Sequence, residues 1–417
     1  MQRKLLITGM LLMSGAVWAA SDEPVQPTTS AIPASDGRAP NDAIGIKLGP
    51  GLRASASVGL ESIYNSNFFL QESDPKSSFG FILTPNVVLK RKAKKWTYEL
   101  GAALETAKYT GIEQGPSTYL DTKFNGNFYW DAETRHHISG DFYSKYGHDP
   151  FGSFRTENGF NVAQGLDKWW ESSGHLRYRF GAHGALINLE SELGLLGRRY
   201  ATNRDQTKIL DYRQWTARET AFFNVSSKTA LLAEVFHLNN GYYTEIPNFP
   251  GRDSQENHYR VGFHWLATGT TSGDVRVGKY RREYDNPLVP RVSATDWAAS
   301  LSWAPLVYSV LTFQSGVESQ RSYLPGVPLI ENRFETVDWT HEWSYRLRTR
   351  LAYSHINSEF IGSSRLDTID TVGAETNYLS SLRWMWLGGV SYSHRNSNQT
   401  GRDYDDTLVY LGVRYTR

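Results

Sequence analysis

The chain has 417 residues, of which 40% are hydrophobic and 21% charged, and its mean hydropathy of -0.48 excludes a bundle of transmembrane helices. Its 44 basic and 43 acidic residues nearly cancel, so its net charge predicts no nucleic-acid partner. The sequence lacks cysteine, which excludes disulfides, thiolate chemistry and cysteine-based zinc sites. Its 13 Trp, 24 Tyr and 19 Phe fit the aromatic girdles of a membrane β-barrel.

Residues 1–20 have the pattern of a secretory signal peptide. Arg3 and Lys4 precede a short apolar stretch, and small residues follow at the positions that signal peptidase reads. We expect cleavage after Ala19 or Ala20. The apolar stretch is shorter than the roughly 20 residues that an uncleaved membrane helix needs.

Residues 21–43 contain four prolines among Ser, Thr, Asp and Ala, which predicts a disordered periplasmic leader. The remainder, 44–417, changes about every ten residues between alternating apolar and polar runs and short breaks. Eighteen such runs predict an all-β fold, a transmembrane antiparallel β-barrel of about 18 strands. A barrel of sixteen to eighteen strands leaves a water-filled channel unless a loop plugs it.

The connections between these runs alternate in length, as they do in outer-membrane barrels. The short ones predict periplasmic turns near 92–95, 131–134, 181–184, 224–227, 267–271, 304–306, 344–345 and 381–382. The long ones predict extracellular loops at 67–77, 112–117, 148–165, 198–208, 244–255, 287–293, 324–332, 358–365 and 396–402. The longest, 148–165, is either a plug or a mobile exterior loop.

Residues of opposite parity on a strand face opposite sides, so the runs also predict which side chains line the lumen. In the run that begins at Trp96, Tyr98 and Leu100 would face lipid while the acidic positions face inward. The candidate lumen-lining residues are Glu99, Glu105, Arg177, Arg179, Glu190, Glu192, Arg260, Asp338, Glu342, Arg346, Arg348 and Arg350. The face of the run 275–282 stays open, because Lys279 has the parity of its valines.

No catalytic constellation is apparent, and we expect neither an enzyme nor a cofactor. His136 and His137 are adjacent on a strand, so they point to opposite faces and cannot ligate one metal ion together. The pairs Trp169-Trp170 and Trp384–Trp386 suit either stacking on sugars or anchoring in an aromatic girdle, and we favour the girdle. The charged lumen rows are the better functional candidates, because opposed charges across a lumen select solutes.

Two segments near the start of the barrel carry a family resemblance. The run Val58 to Phe69, which ends in Tyr-Asn-Ser-Asn-Phe-Phe, and the Thr84-Pro85 pair of the next run resemble the opening of the "putative β-barrel porin 2" family. Members of this family are encoded with exopolysaccharide and capsule biosynthesis proteins. The resemblance implies an outer-membrane barrel that serves polysaccharide export, with periplasmic or inner-membrane synthesis and export proteins as partners. It supplies no catalytic residues.

The barrel pattern therefore predicts a channel in the outer membrane of a Gram-negative bacterium, and the family resemblance implies that it exports an exopolysaccharide or capsular polysaccharide. Its further partners would be outer-membrane lipid, the polysaccharide itself and the outer-membrane assembly machinery. The last run, Leu408 to Tyr415, supplies the alternating C-terminal signal that this machinery reads. Two alternatives stay open: a general or oligosaccharide-uptake porin, and a barrel used as a surface enzyme or adhesin.

Overall fold

The structure is a computed structural model that describes residues 45–112, 117–150, 165–182, 184–245, 252–268, 270–322, 324 and 327–417. The expected signal peptide 1–20 and leader 21–43 lie outside the described residues, as does most of the loop 148–165.

The described residues form nineteen β-strands. The first ten are β1 (Ile46–Gly49), β2 (Leu52–Asn65), β3 (Ser78–Lys92), β4 (Trp96–Thr110), β5 (Thr118–Glu133), β6 (His136–His148), β7 (Lys168–Phe180), β8 (Ile187–Tyr200), β9 (Tyr212–Asn224) and β10 (Thr229–Tyr242). The others are β11 (Ser254–Thr268), β12 (Thr271–Tyr284), β13 (Val292–Leu306), β14 (Ser309–Arg321), β15 (Leu329–Glu342), β16 (Leu347–Ile361), β17 (Leu366–Leu379), β18 (Trp384–Ser397) and β19 (Tyr404–Thr416).

Strands β2 to β19 form a closed antiparallel barrel of eighteen strands, which confirms the predicted fold. Each strand pairs with its neighbours in sequence. The barrel closes because β19 pairs with β2, from Leu408↔Asn65 to Thr416↔Ser57. The short β1 pairs with β2 at Ile46↔Ala54, just beyond the end of β19, and so covers an edge of β2 that would otherwise lie open.

Period-2 alternation of side chains explains why these segments are strands. On β3, Phe79 and Phe81 are exposed on the barrel surface, whereas Ile82 and Thr84 are buried on the other face. Pro85 has no backbone N–H to donate, and residues 84–85 of β3 are unpaired with β4, although the register is the same on both sides of them. The proline therefore sits where the ladder can lose a hydrogen bond.

Short turns join the strands at one end of the barrel and long loops at the other, as predicted from the sequence. We call these the turn end and the loop end; residues 93–95 form a turn, and residues 66–77 form a loop. The loop between β8 and β9 contains helix α1 (Arg204–Thr207) and a 3₁₀ turn (Lys208–Leu210). No helix among the described residues has the length and apolar character needed to span a membrane.

Candidate functional site

The inner face of the barrel is identified by contacts that skip a strand. Arg260 on β11 reaches Asp296 on β13, and Tyr410 on β19 donates to Glu375 on β17 at 2.8 Å. Side chains can meet over an intervening strand only on the concave side of a curved sheet. The opposite parity carries exposed apolar side chains, such as Leu195 at 68% exposure, which face the membrane.

A network of ion pairs covers the inner face of β7 to β13. We call it the paired belt; its members are Arg177, Glu190, Glu192, Arg218, Glu234, Glu256, His258, Arg260, Asp274, Arg276, Arg282 and Asp296. Arginines and acidic residues alternate along it, so most of the cations contact carboxylates on two sides. Arg177, for example, lies 2.5 Å from Glu192 and 3.5 Å from Glu190.

Glu234 is the centre of the paired belt. Its side chain is fully buried and receives three guanidinium groups. Arg260 lies 3.0 Å away, Arg218 lies 3.8 Å away, and Arg276 from β12 contacts the same carboxylate. A buried carboxylate is stable as an anion only when it is paired and hydrogen-bonded, and three cations supply those partners.

The sequence-predicted lumen residues fall into separate groups. Arg177, Glu190, Glu192 and Arg260 join the paired belt. Glu99 lies 3.7 Å from Lys90, and Glu105 accepts a hydrogen bond of 2.7 Å from Tyr119. Asp338 pairs with Arg350, whereas Glu342 and Arg348 are opposite each other in the ladder of β15 and β16, as are Arg179 and Glu190 in that of β7 and β8.

Arg346 differs from its expected position. It lies in the exposed turn before β16, with its guanidinium 5.1 Å from the ring centre of Tyr345. It has the parity of Arg348, but the strand begins only at Leu347, so its side chain extends from the turn end instead of the wall.

Sequence reasoning missed most of the paired belt, including Arg218, Glu234 and the members on β12. On that strand, Lys279 lies on the outer face with Val277, whereas Arg276 and Arg282 face inward. Side chains do alternate between the two faces of this strand, but the outward Lys279 made its faces impossible to tell apart from the sequence. Lysine can occupy such a position because its long stem reaches the membrane interface.

The loop-end half of β14 leaves the barrel wall. Pairing between β13 and β14 stops at Ala298↔Gly316, but β14 and β15 remain paired up to Arg321↔Leu329. We call the described residues 317–322, 324 and 327–333 the inner hairpin. It bends into the lumen and covers the inner face of its neighbours.

Several contacts fix the inner hairpin against β9 to β12. Ser319 donates to Glu256 at 2.8 Å, and Tyr280 donates to Glu331 at 2.6 Å. The guanidinium of Arg321 lies 3.3 Å from the ring centre of Tyr212. Arg321 also donates to Asn240 at 3.2 Å.

Apolar side chains of the inner hairpin pack on its other side, where Val327 and Ile330 form a buried cluster with Phe360 of β16. Hydrogen bonds on one side and apolar packing on the other hold this hairpin inside the loop end of the barrel.

A second inward segment adjoins the expected plug. Leu166 is buried against Ile63, Ile82, Tyr119 and Leu408, which lie on β2, β3, β5 and β19. The residues 151–164 that precede it are outside the described residues. Leu166 therefore fills part of the lumen next to β2 to β5.

The inner face of β2, next to Leu166, also carries an acidic group. Glu61 is fully buried, and neither of its carboxylate oxygens has a hydrogen-bond partner among the described residues. Arg414, Glu105 and Glu375 are its charged neighbours. No group of three His, Asp or Glu side chains in the described ranges is placed to hold a metal ion.

The tryptophan pairs divide between the two faces. Trp384 and Trp386 are exposed on the outer surface, as a girdle requires, and so is Trp170. The girdle prediction is wrong for Trp169, whose side chain is buried inside the barrel and donates a hydrogen bond of 2.9 Å to Asp149. Adjacent strand residues point to opposite sides, so only one of the pair could face lipid.

Comparison with known proteins adds a family to this geometry. The sequence profile described as "Putative beta-barrel porin 2" matches residues 39–417. The chain belongs to this family. Membership of a family of β-barrel porins places the protein in the bacterial outer membrane and indicates a transport protein instead of an enzyme. No curated protein matches the sequence of this porin.

Solved structures resemble the porin in fold at low identity. OccK9 (OpdG) of Pseudomonas aeruginosa is 9% identical with a TM-score of 0.47, over 87% of this chain and 98% of that chain. A bacterial polysaccharide outer membrane secretin is 8% identical with a TM-score of 0.36, over 86% and 97% of the two chains. The copper transporter OprC is 11% identical with a TM-score of 0.44; the match covers 85% of this chain but only 63% of OprC.

Proposed function

We propose that this porin is an outer-membrane channel through which a secreted exopolysaccharide or capsular polysaccharide leaves the cell. The observation that carries the proposal is the paired belt, which gives one wall many hydrogen-bonding groups whose charges compensate each other. The partly exposed members of the belt, Arg177, Glu190, Asp274 and Arg276, can replace water around sugar hydroxyls, and their opposite charges leave no strong net field that would retain ions. The family resemblance to barrels encoded with polysaccharide biosynthesis proteins supports the same substrate.

Transport would proceed by facilitated diffusion or guided extrusion, and it requires no cofactor. Exposed charges such as Arg179 and Arg350 lie toward the turn end, where a polymer from the periplasm would enter. The inner hairpin then narrows the exit, so export requires that it move or that the polymer pass beside it. Periplasmic or inner-membrane synthesis and export proteins would deliver the polymer to the turn end.

Gene deletion tests this function directly. A deletion strain should lose its surface polysaccharide, measured by immunoblot or lectin binding, and keep its permeability to small solutes. Complementation with the wild-type gene should restore the polysaccharide. Unchanged polysaccharide in the deletion strain would reject export. If uptake of small sugars fell instead, the protein would be an oligosaccharide-uptake porin, and planar-bilayer conductance with and without sugar would measure that activity.

A further inference from the structure

Two arginines on the outer surface at the loop end share one aromatic ring. Arg199 and Arg213 lie on neighbouring strands and have the parity of the membrane-facing residues of those strands. Their guanidinium carbons lie 4.3 and 5.8 Å from the ring centre of Tyr243, which follows β10. All three side chains are exposed.

Neither guanidinium forms an ion pair within 4.0 Å in the described part of the chain. The carboxylate of Asp253 lies nearby, but it accepts the backbone N–H of Tyr242 at 2.8 Å. Other outward arginines near the loop end are paired. Arg281 and Arg291, for example, share the carboxylate of Glu283. The arginine pair beside Tyr243 is therefore free to bind an anion from outside.

An apolar surface continues from this pair toward the middle of the membrane. Leu193, Leu195 and Trp215 are 58%, 68% and 43% exposed there. The long loops of outer-membrane barrels face the cell exterior, so the arginines stand at the headgroup level of the outer leaflet, with the apolar side chains below. The surface is cationic above and apolar below.

We propose that Arg199, Arg213 and Tyr243 bind the phosphorylated headgroup of lipopolysaccharide. Arginine recognises phosphate with two parallel N–H donors, and two unpaired guanidinium groups can grip one phosphate or two neighbouring ones. Tyr243 holds both cations in place through its ring face. The acyl chains of the lipid lie along Leu193, Leu195 and Trp215.

Lipid A binding to the full-length protein in detergent micelles tests this proposal. Native mass spectrometry would count bound bisphosphorylated lipid A and, separately, enzymatically dephosphorylated lipid A. The wild-type protein should prefer the phosphorylated form. The double variant R199A/R213A should bind it about thirtyfold more weakly, which corresponds to about 2 kcal/mol, because each arginine near an anionic lipid surface contributes about 1 kcal/mol.

Two further variants control for charge and folding. R281A removes a paired arginine of the same rim and should leave binding unchanged. R199K/R213K keeps both charges but loses the paired N–H donors of each guanidinium, so it should bind phosphorylated lipid A more weakly than the wild type and more strongly than R199A/R213A. Equal binding by R199A/R213A and wild type, or equal binding of the two lipid A forms by wild type, would overturn the proposal. Heat-modifiable migration on SDS gels checks that each variant has folded, and polysaccharide export does not enter the result.

Discussion

Replacing Glu234 by glutamine tests whether the paired belt stabilises the barrel. The change keeps the size of the side chain and removes its charge, which leaves three guanidinium groups without their shared carboxylate. Breaking a buried pair by removing one partner costs about 3–5 kcal/mol. The remaining contacts favour the lower figure, because each arginine keeps a second acid: Arg260 keeps Asp296 at 2.5 Å, Arg276 keeps Asp274 at 2.7 Å, and Arg218 keeps Glu192 at 3.6 Å.

We therefore expect E234Q to lower the free energy of unfolding by about 3 kcal/mol. The measurement is urea unfolding of protein folded into lipid vesicles. E99Q is the matched control, since Glu99 is partly exposed and has one cation 3.7 Å away, and such a pair contributes at most about 1 kcal/mol. A further variant, E234Q/R218Q, removes the cation with the longest contact and should recover part of the loss.

The same substitution changes the charge of the lumen by one unit. E234Q should shift the reversal potential in a salt gradient toward anion selectivity, because the lumen wall then has one negative charge fewer beside the three arginines that contact residue 234. An unfolding free energy within about 0.5 kcal/mol of the wild type would refute the role of Glu234 as the centre of the belt.

Three other substitutions test the constriction, the close strand packing and the outer face. R321A removes a desolvated cation–π contact of about 2 kcal/mol and should raise single-channel conductance by releasing the inner hairpin; unchanged conductance would argue against a constriction there. G278A should lower the free energy of unfolding by about 1–3 kcal/mol, because the new Cβ would lie 1.8 Å from the Tyr259 carbonyl oxygen. Its control is G49A, whose Cβ meets no atom within 4 Å. L193R places a charge on the membrane face and should cost about 2–4 kcal/mol, and a stable L193R variant would contradict the assigned faces.

The sequence was sufficient for the barrel because the signals that define it are local. Alternation along β19 and the breaks between runs depend on neighbouring residues, so strands, turns and loops could be predicted without a partner strand. The partners of a charge could not be predicted in the same way. Arg260 meets Asp296 across an intervening strand, and that contact depends on the curvature of the closed sheet.

The inner hairpin is a clearer example of a feature that the sequence pattern does not predict. Residues 317–321 continue as a strand paired with β15, so their own sequence does not indicate that they separate from β13. Their position is fixed by distant residues, including Glu256 and Tyr212. A departure from the wall is thus a tertiary property, whereas strand formation is a local one.

The hairpin and the paired belt depend on each other physically. Ser319 donates to Glu256, which also receives Arg282 and His258, so the hairpin covers the loop-end members of the belt and excludes water from them. Dry ion pairs are strong when complete and costly when broken. If the hairpin moves away from the wall, water reaches Glu256 and weakens the ion pairs that the hairpin covered. The belt therefore opposes spontaneous movement of the hairpin, and in the export proposed above a passing polymer would replace the contacts of Ser319 with its own hydroxyl groups.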